Sequence, residues 1–142
     1  MPTFAGSFSG RANWQTTVSL KDVPHHEMNV AEIAGPQRST DPAWNDARIT
    51  YWGVADLNAG TGTQRGYWVN ERANGERDWG TFEGRITTAG QNVTLEGTWA
   101  FAGGTGRFSG ITGKGTYKGR MTSPMDVEMS WEGAYQLVVA AA

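Results

Sequence analysis

The sequence predicts an all-β protein, an eight-stranded antiparallel up-and-down β-barrel of about lipocalin size, with an interior able to take a small molecule. Three observations carry that expectation. Apolar and polar residues alternate with a period of two along most of the chain, 20 glycines accompany seven tryptophans with only 18% charged residues, and turn signals recur at hairpin spacing. Period two marks a strand with one buried face. Glycines and large rings in this proportion suit closely approaching strands better than helices. At 142 residues one core suffices, so residues 1–142 are expected to form a single barrel domain.

The first strand is read over 4–20, with Phe4, Gly6, Phe8, Gly10, Ala12, Trp14, Thr16 and Val18 facing inward. Lys21-Asp22-Val23-Pro24 breaks the alternation, and a second strand over 26–34 turns His26, Met28, Val30, Glu32 and Ala34 inward until Gly35-Pro36 stops it. Residues 37–46 read as a loop or a single helical turn. Strands three and four follow over 48–57 and 63–73. Asn74-Gly75 then predicts a two-residue type I′ turn into strand five over 76–88, because both central residues of that turn need positive φ. Strand six, 93–101, buries Val93, Leu95, Gly97, Trp99 and Phe101. Strand seven, 113–122, buries Tyr117 and Met121 between glycines. Strand eight, 126–138, buries Val127, Met129, Trp131 and Tyr135.

Eight sequential strands also fit a two-sheet sandwich. A closed barrel is the expectation because closure removes edges that an open sheet must protect, and eight strands leave room for side chains or one small ligand.

Between strands six and seven stands Gly103-Gly104-Thr105-Gly106-Arg107-Phe108-Ser109-Gly110. A dinucleotide-binding loop would open a helix in a βαβ unit, but this run leads into another strand. Gly113-Lys114-Gly115 lacks the Ser or Thr a P-loop needs after its lysine. The run, with Gly113 and Gly115, resembles the connection between two late strands in the allene oxide cyclase and dirigent-protein barrels, where a Gly-Gly-(Thr/Ser)-Gly-x-(Phe/Tyr) stretch stands. The likeness covers about fifteen residues. It implies an eight-stranded barrel with an apolar cavity, often a trimer, used for cyclisation or for steering reactive small molecules. It places neither family's catalytic residues on this chain.

A net charge of −2 gives no general attraction to nucleic acid, and Lys114, Lys118 and Arg120 read as a solvated strand face. The absence of cysteine excludes disulfides, thiol nucleophiles and thiolate metal sites. Adjacent His25 and His26 point to opposite faces of a strand, so no metal and no cofactor is expected. The start of the chain lacks a signal-peptide pattern and no apolar run approaches a membrane span, which makes a cytoplasmic location without membrane attachment the expectation.

Under this parity the polar groups directed inward are His26, Glu32, Tyr51, Tyr67, Glu71 and Asp78. The two-residue turn sets Glu71 opposite Asp78, and paired carboxylates in an apolar mouth raise one pKa into the range of a general acid or base. His26 suits proton transfer near neutrality, and Tyr51 and Tyr67 could hold a carbonyl or phenol. Glu71, Asp78, His26, Tyr51 and Tyr67 are therefore the catalytic candidates, and Trp14, Glu32, Phe82, Trp99, Tyr117 and Trp131 the ligand-binding ones. Solvated rim acids, a satisfied histidine and rings that fill a core are the plainer reading of the same residues.

On the opposite face Trp52, Trp68 and Trp79 fall on three consecutive strands, an exposed row that predicts a homo-oligomer, trimer or dimer. The function expected is an isomerase- or cyclase-type enzyme acting on a small hydrophobic molecule. The alternative is a non-catalytic barrel that binds or carries such a molecule. An acid–base group on the cavity favours the first, and an apolar interior the second.

Overall fold

The computed structural model describes residues 2–138, and they form a closed barrel in which each strand pairs antiparallel with the next and the last with the first. The strands are β1 (Thr3–Ser19), β2 (His26–Ser39), β3 (Arg48–Asn58), β4 (Thr61–Glu71), β5 (Arg77–Ala89), β6 (Asn92–Gly104), β7 (Thr112–Ser123) and β8 (Asp126–Gln136). A single 3-10 turn, Gly106–Phe108, lies between β6 and β7. Closure runs from Thr3↔Ala134 to Arg11↔Asp126. Among the described residues no helix is long and apolar enough to cross a membrane.

Parity holds where nothing interrupts the ladder. β6, β7 and β8 bury Leu95, Trp99, Tyr117, Val127, Met129 and Tyr135 as the alternation predicts. Three local irregularities change the reading elsewhere.

The first is a bulge in β1. Pairing advances from Ala12↔Ile33 to Trp14↔Glu32, two residues on β1 against one on β2. An extra residue in one strand exchanges the faces of everything beyond it. Phe4, Phe8 and Ala12 are buried as expected, but Trp14 and Val18 turn outward and stand 45% and 53% exposed.

The second is Gly35-Pro36, which interrupts β2 without ending it. The β1–β2 ladder omits the rungs at Ser9 and Gly10, opposite Pro36 and Gly35, where proline has no N–H to offer, with no change of register between Phe8↔Gln37 and Arg11↔Ala34, while pairing with β3 continues through Gly35↔Ile49 and Pro36↔Arg48. On β2 the face carrying Met28, Val30 and Glu32 is the outer one, and Gln37 faces the core.

The third is the β4–β5 turn. Arg72 N donates to Glu76 O at 3.0 Å and Gly75 N to Arg72 O at 2.9 Å, so the loop holds three residues, Ala73, Asn74 and Gly75. Only Gly75 takes positive φ, +87°. Asn74 stays out of that region, its Oδ1 accepting from Glu76 N and its Nδ2 donating to Glu76 Oε1, both at 2.9 Å. A three-residue loop with glycine in the left-handed position replaces the expected type I′ turn. The rungs are accordingly Glu71↔Arg77 and Asn70↔Asp78. That one-residue change turns the faces of β4 over: Gln64, Trp68 and Asn70 are buried while Tyr67 is 66% exposed and Glu71 lies outside.

The interior is built of rings set edge-to-face. Trp99 lies 5.7 Å from Trp68 at 89° and 6.3 Å from Trp131 at 90°. Its ring passes over Gly115 and Gly133, where a Cβ would come within 2.5 and 2.6 Å of it. Glycine is what lets so large a ring lie flat across the two neighbouring strands, β7 and β8.

One end of the barrel is plugged. Trp44, in the turn between β2 and β3, and Phe108, in the 3-10 turn, are each 1% exposed and pack 5.4 Å apart. At the other end the β1–β2 connection is clasped by His26, whose Nδ1 lies 2.7 Å from Asp22 and whose Nε2 lies 2.6 Å from Asp56. Hydrogen bonding to Asp22 first, and then to Asp56, raises the imidazole above the ordinary histidine value of 6.5. Because the folded pKa is the higher one, this stabilisation is complete below about pH 6.5 and disappears as pH rises through the folded value. The barrel should therefore melt at a higher temperature at pH 6 than at pH 8, with a smaller difference in His26→Gln. A histidine proton titration that places His26 at or below 6.5 would contradict this assignment.

Candidate functional site: an aromatic cavity beside a buried polar network

A cavity of about 80 Å³ lies inside the barrel. Its wall includes Phe4, Phe8, Tyr51, Phe82, Trp99, Tyr117 and Trp131, with Gln37, Gln64 and Asn70 as the polar members. Tyr51 comes from β3, Phe82 from β5 and Tyr117 from β7. Their rings meet nearly at right angles, Tyr51 to Phe82 at 5.6 Å and 87°, and Phe82 to Tyr117 at 5.8 Å and 88°. No aspartate, glutamate, lysine, arginine or histidine stands on this wall.

The polar groups are already engaged, with one exception. Gln64 Nε2 donates to the Tyr117 hydroxyl at 2.8 Å. Burial, the larger cause, pushes Tyr117 up to about 12 against that hydrogen bond. Trp131 Nε1 donates to Gln37 Oε1 at 2.9 Å, and Gln37 Nε2 to Asn70 Oδ1 at 3.1 Å. The exception is Tyr51, whose hydroxyl makes no hydrogen bond to any described residue and whose pKa is raised first by burial and then by Tyr117. A phenol so placed keeps its proton at neutral pH and is available as a donor to whatever occupies the cavity.

Behind this wall the network ends on Asp78, which is fully buried. Asn70 Nδ2 donates to its Oδ2 at 3.0 Å, Trp44 Nε1 to its Oδ1 at 3.1 Å and Trp68 Nε1 to its Oδ2 at 3.5 Å. Arg72 Nη2 lies 2.8 Å from Oδ1, close enough for an ion pair although not aligned as a hydrogen bond. Burial pushes the Asp78 carboxyl up, opposed chiefly by the Arg72 charge and then by the hydrogen bond from Asn70. Every neighbour presents a donor, so the ionised carboxylate is the form this pocket is built to hold. Arg72 itself is wedged between rings, 3.7 Å above Phe108 and 5.1 Å from Trp44, and its Nε donates to Ala43 O at 2.6 Å. Asp78 and Arg72 thus fasten the plug onto the barrel end.

The structure gathers some of the sequence-predicted residues and disperses others. Tyr51, Phe82, Trp99, Tyr117 and Trp131 converge on the cavity, while Asp78 is inside but behind its wall. Tyr67 and Glu71 stand on the outer surface through the β4–β5 register, and Trp14 through the β1 bulge. Glu32 is also outside, accepting from Trp52 Nε1 at 2.9 Å and from Asn13 Nδ2 at 3.0 Å. His26 is held at the β1–β2 turn by its two aspartates. No Glu71–Asp78 carboxylate pair exists, because Asn70 occupies the rung opposite Asp78. Nor is there an outer row of three tryptophans: Trp52 and Trp79 lie on the outer face, whereas Trp68 is 7% exposed and in the core.

Sequence reasoning missed Gln37, Trp44, Asn70 and Arg72. The first two lay in a segment read as irregular, Asn70 was on the wrong face of β4, and Arg72, just beyond that strand, was assigned to the outer face with it. A cue for Trp44 was present, since a tryptophan in a polar loop must find cover somewhere. No protein-family model matches the chain, and no curated protein is similar to it at a significant level.

Proposed function

We propose that the barrel binds a small, mainly apolar and preferably aromatic molecule in its interior and performs no acid–base chemistry on it. The observation that carries this reading is the cavity wall: rings on every side, no carboxyl group, lysine, arginine or histidine among them, and two O–H donors without an acceptor among the described residues, Tyr51, which makes no hydrogen bond, and Tyr117, which only accepts from Gln64. Edge-to-face walls favour a planar aromatic guest. At about 80 Å³ the space exceeds what a single water needs, and a benzene-sized guest requires a small outward shift of Phe82 or Tyr51. A carbonyl or ether oxygen on the guest would accept from Tyr51.

The isomerase or cyclase reading keeps the likeness of the 103–115 segment to allene oxide cyclase and dirigent barrels as its support. It lacks a proton carrier on the cavity, since burial makes Tyr51 a poorer acid than a free phenol. In this chain the glycine-rich segment has a packing role: Gly103 lies under the Trp79 ring, Gly106 takes a φ of +57° and Phe108 completes the plug.

Toluene and benzaldehyde make a matched pair of probes. Both should raise the melting temperature and quench tryptophan emission saturably, as ligands of the native state do. Tyr51→Phe should weaken benzaldehyde about three- to tenfold, the value of one neutral hydrogen bond, and leave toluene unchanged. If neither probe shifts melting or emission at millimolar concentration, the reading fails.

A further inference from the structure

The ladder is not complete everywhere. β1 pairs with β8 only as far as Arg11↔Asp126, yet it continues to Ser19 against β2. Residues 13–19 therefore have a strand neighbour on one side alone, the longest such stretch among the described strands, with the β7–β8 turn beside its start, where Ala12 N donates to Met125 O at 2.8 Å and Gln15 Nε2 to Pro124 O at 3.1 Å. All seven are exposed, and none is charged or proline. Natural edges of this kind usually carry a charge, a proline or a cover.

The hydrogen-bonding phase is set by Leu20 N, which donates to His26 O at 2.8 Å. Even-numbered residues beyond the bulge thus spend their main-chain groups on β2, and the N–H and C=O of residues 15, 17 and 19 point away from the barrel, whereas Asn13 is the bulged residue itself. The side chains of Trp14, Thr16 and Val18 share the outer face, 45% and 53% exposed for Trp14 and Val18.

We infer that this edge pairs with the same edge of a second copy, antiparallel about a twofold axis at Thr16. What selects a second copy is self-complementarity. With Thr16 opposite its own mate, Gln15 meets Thr17, a pair whose main-chain groups already point at each other. About four hydrogen bonds form, two in each of the two symmetry-related Gln15–Thr17 pairs. The same register sets Trp14 across from Val18 of the other copy in the close, non-hydrogen-bonded positions, an aromatic–β-branched pair of the kind that stabilises sheets. The edge is isologous, so assembly stops at two. The contact is small, below the roughly 1,200 Å² of a standard interface, so the dimer is a weak one. None of this depends on the cavity or its ligand.

The chain has no cysteine, so Thr16→Cys carries a single thiol. At the twofold axis its Cα lies about 4.5 Å from its mate, within disulfide range. Mild oxidation should join Thr16→Cys into a covalent dimer at least tenfold faster than Thr87→Cys, an exposed strand position away from this edge. Light scattering on the unmodified chain should show mass rising from monomer to dimer with concentration, and Val18→Lys should weaken that association at least tenfold. A chain that stays monomeric at several hundred micromolar overturns the inference, as does a trimer or equal cross-linking at both cysteines. Should Val18→Lys fail to fold, the Thr16→Cys comparison still decides.

Discussion

Asp78→Ala is expected to destabilise the protein by about 3–5 kcal/mol, because it strips the counter-charge from an arginine that cannot reach water. The Arg72 side chain is 8% exposed and Asp78 is wholly enclosed. Removing the carboxylate also orphans Trp44 Nε1 and Asn70 Nδ2, each of which now donates to it. The loss should fall first on the plugged end, so emission from Trp44 should shift to the red at denaturant concentrations that leave the rest of the barrel folded. Asp78→Ala combined with Arg72→Met should recover part of the deficit, since an apolar replacement of both partners removes the stranded charge. Full recovery is not expected, because the Trp44 and Asn70 donors remain without an acceptor. Denaturant unfolding of the two single variants and the double variant measures this directly. An Asp78→Ala protein within about 1 kcal/mol of wild type would mean that the network does not hold the plug.

How this network escaped a reading of the sequence shows where alternation stops being informative. Strands six to eight were legible because the extra residues they carry, Ala102 in β6 and Thr122 in β7, come at the far end of each strand, so one parity runs through the alternating part. β4 was not, and the cause is a single residue. Asn74-Gly75 signals a hairpin equally well as the centre of a two-residue loop or as the last two positions of a three-residue one. The choice is made by Asn74 and Glu76 bonding to each other and by Glu76 Oε2 accepting from Arg107 N at 2.8 Å across the gap to the 3-10 turn. That contact joins positions 31 apart in the chain and leaves no local trace. The same slip that moved Glu71 outward brought Asn70 and Trp68 in, so an expected carboxylate pair became an amide and a carboxylate. In β1 the bulge is equally silent: Trp14 and Val18 continue an unbroken alternation from Phe4, and only the shift in pairing with β2, from Ala12↔Ile33 to Trp14↔Glu32, shows the change of face. A ring-lined interior that includes Tyr51, Phe82, Trp99, Tyr117 and Trp131 could be read from pattern, whereas alternation fits a sandwich as well as a barrel and closure rested on the need to protect edges. The polar groups behind those rings could not be read from pattern.

Trp99→Ala should produce the second large effect, and it joins stability to the proposed binding role. Trp99 is 8% exposed, touches Phe4, Trp68, Phe101 and Trp131, and donates from Nε1 to Thr116 O at 3.1 Å. Truncating a tryptophan in such a position costs about 3–5 kcal/mol, because the surrounding rings cannot collapse into the space it leaves. Here collapse is hindered further, since the ring rests on Gly115 and Gly133, which have no side chains with which to fill the gap. The vacated volume opens onto the existing cavity, whose wall Trp99 helps to form. The variant should therefore bind indole, a copy of the missing ring, with the N–H again free to meet Thr116 O. Indole at millimolar concentration should raise the melting temperature of Trp99→Ala by several degrees and leave wild type nearly unmoved, because a cavity of about 80 Å³ does not admit a two-ring guest. Benzaldehyde should bind the variant less selectively than wild type, as the edge-to-face wall around it is broken. Equal stabilisation of both proteins by indole would place the binding site elsewhere and remove the interior from the functional account.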